Sequence, residues 1–123
     1  MPASKRLGLG HKQRLKQSRD FARVRQSGQR VVSGCLIANW LMLPPDAGSR
    51  LGVVVSRKVG NAVTRSRTRR RLREAFRLHQ HELRQPVDLV LVARPSIATR
   101  EYAEVERDFL GALRKAGVVD KAA

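Results

Sequence analysis

Cysteine is almost missing from this chain of 123 residues. The single Cys35 excludes an intramolecular disulfide and any cysteine-cluster metal site, and its expected place is that of a small buried hydrophobe in a strand. Aromatic residues are scarce as well. Only Phe21, Trp40, Phe76, Tyr102 and Phe109 are available to anchor a core, so aliphatic side chains must build most of it. Long hydrophobic runs are also lacking: the longest, Cys35 to Leu43, is broken by Asn39 and is half of the roughly 20 residues that span a bilayer. The basic stretch Met1 to Lys16 is followed by no apolar segment of the secretory type, so a cytoplasmic location is expected. There is no internal repeat, and with 41% hydrophobic residues the chain suits one globular domain with a real core.

The most informative shortage is that of carboxylates. Residues 1–84 hold 20 Lys and Arg against only Asp20, Asp46, Glu74 and Glu82, which accounts for the whole formal charge of +16. Residues 85–123 hold six charges of each sign and are neutral. A merely solvated surface intersperses both signs, as the last third does. A long excess of one sign, at a sequence pI near 11.7, is the footprint of a polyanion partner, because each neutralised phosphate releases condensed counterions. Arginine greatly outnumbers lysine here, and a planar guanidinium both grips phosphate and stacks on bases, which favours RNA. No segment offers the broad apolar face that a membrane-surface helix needs.

The pattern along the chain predicts one mixed α+β domain in the order α, β, β (with a third β if the run splits), α, β, α, as one sheet with helices packed on it. Residues 1–13 read as a basic arm and 118–123 as a tail. Ser18 is the expected cap of a first helix that places Phe21, Val24 and Arg25 on one face and stops at Gly28. Val31 to Leu43 suggests one strand, or two divided near Gly34. The turn at Pro44-Pro45-Asp46-Ala47-Gly48 leads to a strand over Leu51 to Ser56, and the two strands flanking it are expected to pair as an antiparallel hairpin. A long helix is expected over Thr64 to Leu83, with Thr68, Leu72, Ala75, Phe76, His79 and Leu83 on its core side and Ser66, Arg69, Arg70, Arg73 and Arg77 on an adjoining flank. Val87 to Ala93, apolar except for Asp88, reads as a strand covered on both faces. A last helix, Thr99 to Ala116, is expected to start at a Thr99 or Ser96 cap and to end at Gly117.

The segment Arg65-Ser66-Arg67-Thr68-Arg69-Arg70-Arg71-Leu72-Arg73 puts six arginines in nine positions near a helix N-terminus. Cations there oppose the helix dipole and repel one another, costing a few tenths of a kcal/mol per pair. Local stability does not explain the run; an anionic partner does.

Together with the preceding Ser56-Arg57-Lys58-Val59-Gly60-Asn61-Ala62-Val63, this segment resembles the protein subunit of bacterial ribonuclease P. The likeness extends to Leu15-Lys16-Gln17-Ser18-Arg19-Asp20-Phe21, Gly28 and Leu51-Gly52-Val53-Val54-Val55, and spans about residues 12–95. The resemblance implies a ribosomal-protein-like fold with a left-handed βαβ crossover. It also implies a partnership with a catalytic RNA that uses Mg²⁺ to cut the 5′ leader from precursor tRNA, the protein itself holding no cofactor. By the same resemblance, Arg65, Ser66, Arg67, Arg69, Arg70 and Arg73 correspond to the helix motif that meets the catalytic RNA, with Ser66 where the family has Asn. Phe21, Arg25, Arg57, Lys58 and Asn61 correspond to the leader cleft, with Arg25 in place of a second aromatic.

Independent nuclease chemistry would need clustered carboxylates on a metal, or a histidine base with an orienting partner. The four carboxylates of the basic part are scattered, His79 and His81 point away from each other two positions apart on a helix, and His11 lies in the arm. No catalytic or metal-binding residue is therefore expected. A ribosomal or chaperone-type RNA-binding protein with no cleavage role would share the charge pattern, and only the ordered motif set separates the two.

Overall fold

In a computed structural model that describes residues 14–119, the chain forms helix α1 (Ser18–Ser27), strands β1 (Gln29–Ser33), β2 (Leu36–Met42) and β3 (Arg50–Val54), helix α2 (Ala62–His79), strand β4 (Val87–Ala93) and helix α3 (Tyr102–Ala116). The sheet order is β1-β2-β4-β3, antiparallel except for the parallel pair β3/β4, which α2 connects. Val31 to Leu43 does split at Gly34, which adopts φ 54°, a left-handed value that costs glycine little. The hairpin is therefore β1/β2. The antiparallel pairing expected across the Pro44–Gly48 turn does not form, because β4 lies between β2 and β3. Its near-continuous apolar run needs neighbours at both edges and cover on both faces, and only the centre of the sheet provides them.

Helix boundaries differ from the composition signal, and at α2 and α3 a side-chain cap sets the start. Gln17, not Ser18, precedes α1, and no side chain caps that end. The second helix begins earlier than expected because Asn61 Oδ1 accepts from the Thr64 amide at 2.9 Å, and it ends at His79 in a short 3₁₀ turn. Pro95–Thr99 forms a separate 3₁₀ turn, so α3 starts at Tyr102, where Glu101 and Glu104 make a capping box. Neither Thr99 nor Ser96 is the cap. Gly117 ends α3 as expected, at φ 77°. Cys35 is fully buried, but in the β1/β2 turn and not in a strand; burial pushes its thiol up to about 12, which removes thiolate reactivity near neutral pH. The arm over residues 1–13 lies outside the described residues. Val118 and Val119, placed in the tail on sequence, are buried, and Val119 bridges to Leu83.

Two cores sandwich the sheet. The larger holds Leu36, Trp40, Leu89 and Leu91 against Leu72 and Phe76 of α2 and Phe109 and Leu113 of α3. The smaller packs Val24 and Phe21 of α1, with Leu15, on Val90 of the opposite face. At one end of that second face Asp88, fully buried, accepts from Arg50 Nη2 at 2.7 Å and Arg23 Nη2 at 2.9 Å. These bonds explain how a charged residue sits inside an apolar strand.

Two measurements test this packing. Gly52 lies under Phe21, and a Cβ there would come within 2.6 Å of the ring. Gly52→Ala is expected to lower stability by about 1–3 kcal/mol, read as a shifted urea midpoint, because the ring must move off the sheet. On the other side, His79 bridges Glu82 at 2.5 Å and Glu106 at 2.7 Å, tying α2 to α3. Burial favours the neutral ring, but the two carboxylates outweigh it and raise the pKa above 6.5. The clamp's stabilisation is thus complete below pH 6.5 and is lost as pH rises through the elevated folded value. His79→Gln should flatten the stability profile in that window alone.

Candidate nucleic-acid interface

The arginine helix is positioned by its opposite side. Thr68, Leu72, Ala75 and Phe76 are buried, which fixes the rotation of α2 and turns the arginine flank outward. Three arginines of this region are engaged internally: Arg65 Nε donates to the Gly60 carbonyl at 3.2 Å, Arg71 Nη1 to the Arg100 carbonyl at 2.6 Å, and Arg77 pairs with Glu74 at 2.5 Å. Arg71 thus anchors the turn before α3. The side chains of Arg67, Arg69, Arg70 and Arg73 have no hydrogen bond or ion pair among the described residues. Burial, then the charges of Arg14 and Arg69, hold the Arg73 guanidinium below its ordinary value. A partly buried cation crowded by like charges calls for an anion from outside.

A second feature lies between α1 and the sheet. The register aligns Arg30, Asn39, Val90 and Gly52 in one cross-strand row, and Val32, Ile37, Val92 and Val54 in the next. Val24 and Phe21 of α1 cover Val90 and Gly52 in the first row, whereas Val32 of the second is 44% exposed. The result is an apolar strip beside α1 with basic walls. One cavity, of about 330 Å³, is lined by Arg25, Arg30, Ile37, Asn39 and Val92; another, of about 480 Å³, by Lys16, Phe21, Arg25 and their helix neighbours. An open apolar floor edged by guanidinium groups suits unpaired bases with their phosphates at the rim.

Phe21 and Arg25 therefore line one cavity, while Phe21 also packs on the smaller core. Arg57 and Lys58 are exposed on a 3₁₀ turn beyond the end of β3 and line neither cavity. Asn61 caps α2, and Ser66 is exposed on its first turns. Arg30, Ile37, Asn39 and Val92 were not singled out from sequence; strand alternation marks them only once the order β1-β2-β4 is known, and Asn39 registered there merely as a break in an apolar run. Among the described residues no group of three or more His, Cys, Asp or Glu is placed to hold a metal ion.

Comparison with known proteins converges on one family. The ribonuclease P family profile matches residues 9–117. A ribonuclease P protein component from Gluconacetobacter diazotrophicus is 44% identical over 108 residues, covering 85% of this chain and 91% of that protein. One from Alkaliphilus metalliredigens is 35% identical over 102 residues, covering 83% and 91%. Among solved structures, the Staphylococcus aureus ribonuclease P protein superposes with a TM-score of 0.80 at 27% identity, over 88% of this chain and 98% of that one. The Thermotoga maritima protein gives 0.74 at 27% identity, over 83% and 96%.

Proposed function

Because the chain belongs to the bacterial ribonuclease P protein family, and so serves with ribonuclease P RNA in an endoribonuclease that matures the 5′ ends of tRNA, we propose that its two surfaces divide the RNA between them. The outward flank of α2, with Arg67, Arg69 and Arg70 at its centre, meets the catalytic RNA. The groove between α1 and the sheet takes the single-stranded leader of precursor tRNA, with Phe21 and Arg25 as stacking surfaces. Arg57, Lys58 and Asn61 serve the same strand from beyond the end of β3. The observation that carries this reading is the set of unpaired arginines on a helix whose rotation the core has already fixed.

Catalysis in this family is RNA-based, and the chain's side chains fit that division. Among the described residues the partly buried carboxylates are committed to arginines, to a helix cap, to His79 or, for Asp108, to the Cys35 amide, which fits Mg²⁺ being held by the RNA. No described helix is long and apolar enough to cross a membrane. Reconstitution with a bacterial ribonuclease P RNA, assayed for leader removal at low Mg²⁺, should restore cleavage. Protein alone with added metal should cleave nothing, and cleavage by protein alone would overturn this reading.

A further inference from the structure

Arg23 and Arg25 belong to the same short helix and have opposite fates. At 3.6 residues per turn their side chains stand about 200° apart, with Val24 between them packed on the sheet. On one side Arg25 lines the groove, and its side chain has no hydrogen bond or ion pair among the described residues. On the other side Arg23 Nη2 donates to Asp88 at 2.9 Å, and Arg23 lines neither cavity of the groove.

The cross-strand rows account for this split. Asp88 shares a row with Leu41 and Arg50, one row before Val90 and two before Val92 on the same face of the sheet. Helix α1 therefore straddles the middle row, tied to the first by Arg23 and overhanging the third, part of the groove floor, with Arg25.

Little else orients this helix. It has ten residues, no side-chain cap at its start and Val24 as its one buried residue, and helices shorter than about 12–15 residues are marginal in water without tertiary contacts. Its C-terminal end is pressed on β2, where a Cβ at Gly28 would come within 2.2 Å of the Trp40 carbonyl oxygen. That contact fixes one end of the axis. Burial of Val24 is non-directional, so the roll of α1 about its axis is left to the directional bond from Arg23. The acceptor is a firm one: Asp88 is fully buried in the central strand and gripped by Arg50 through Nε at 2.9 Å and Nη2 at 2.7 Å. Asp20 of α1 stands 3.9 Å from both guanidinium groups, so two cations meet two anions and the cluster offers no net charge to RNA.

We propose that Asp88 and Arg23 are positioning residues for the leader groove: the bond between them sets the roll of α1, and with it how Phe21 and Arg25 stand over Ile37 and Val92. Neither residue meets the leader itself. The proposal rests on the groove as the leader cleft.

The test measures, across a salt series, the affinity of precursor and mature tRNA for holoenzyme carrying wild-type protein, Arg23→Ala, Asp88→Asn or both. Arg23→Ala leaves Asp88 satisfied by Arg50, so the fold is kept while α1 loses its tie. Each single variant should reduce the preference for precursor over mature tRNA roughly tenfold and leave mature tRNA and ribonuclease P RNA binding unchanged. The salt slope should not move, because no phosphate contact is lost. The double variant should lose little more than either single one, since both changes break one bond. Arg23→Lys, which keeps a donor for Asp88, should restore most of the preference. Val105→Ala, in the larger core on the opposite face, should lower stability and leave the preference intact, which separates positioning from general destabilisation. A slope flattened by about one in Arg23→Ala would make Arg23 a phosphate contact and overturn the proposal. So would an unchanged preference in either single variant, an equal loss for mature tRNA, or a like loss in Val105→Ala. If Phe21→Leu with Arg25→Ala also leaves the preference intact, the cleft reading fails too; if that variant abolishes it while Arg23→Ala and Asp88→Asn do not, only the positioning role fails.

Discussion

Arg67→Ala combined with Arg70→Ala should weaken binding to ribonuclease P RNA by one to two orders of magnitude at low salt, and should reduce the slope of log affinity against log salt by about two. With about five phosphates neutralised by the intact protein, the wild-type slope should lie near −3 to −5. Both side chains lack internal partners, so removing them leaves no buried carboxylate exposed to a lost charge. Arg71→Ala supplies the contrast. That guanidinium is tied to the Arg100 carbonyl, so its loss should lower stability and leave the salt slope unchanged. A slope unaltered by the Arg67 and Arg70 changes would remove this helix flank from the RNA interface.

The second large effect concerns Phe21. Phe21→Ala should weaken precursor tRNA binding more than mature tRNA binding, by about 1–3 kcal/mol, if a leader base stacks on the ring. The ring also fills space above Gly52 and beside Val24, so part of any loss from alanine would come from a damaged smaller core. Phe21→Leu separates the two roles, since leucine keeps apolar volume but offers no flat face. It should retain most of the stability and still lose the preference for leader-bearing substrate. Equal losses for both RNAs with the leucine variant would take Phe21 out of the leader site.

The sequence alone determined the partner class and much of the local structure. Charge segregation needs no coordinates to be read, because a one-signed excess of this size repels itself and is the footprint of a polyanion partner. The core stripe of α2 and the buried character of β4 were likewise legible, since periods of 3.6 and near-continuous apolarity depend on neighbours in the chain. Capping was less legible: Asn61 and Glu101 act through hydrogen bonds that compete with several equally plausible serines and threonines nearby.

Tertiary structure alone decided strand order, and with it the cleft. Sequence proximity favoured pairing β2 with β3, but the free energy of burying β4 on both faces placed it between them. That insertion is what brings Asn39, Ile37 and Val92 under Arg25, and it turns residues far apart in sequence into one groove floor. It also decided which arginines remain available. Arg65, Arg71 and Arg77 look identical to Arg67 and Arg70 in the sequence, and only the carbonyls and carboxylate that the fold brings beside them consume their hydrogen-bonding capacity.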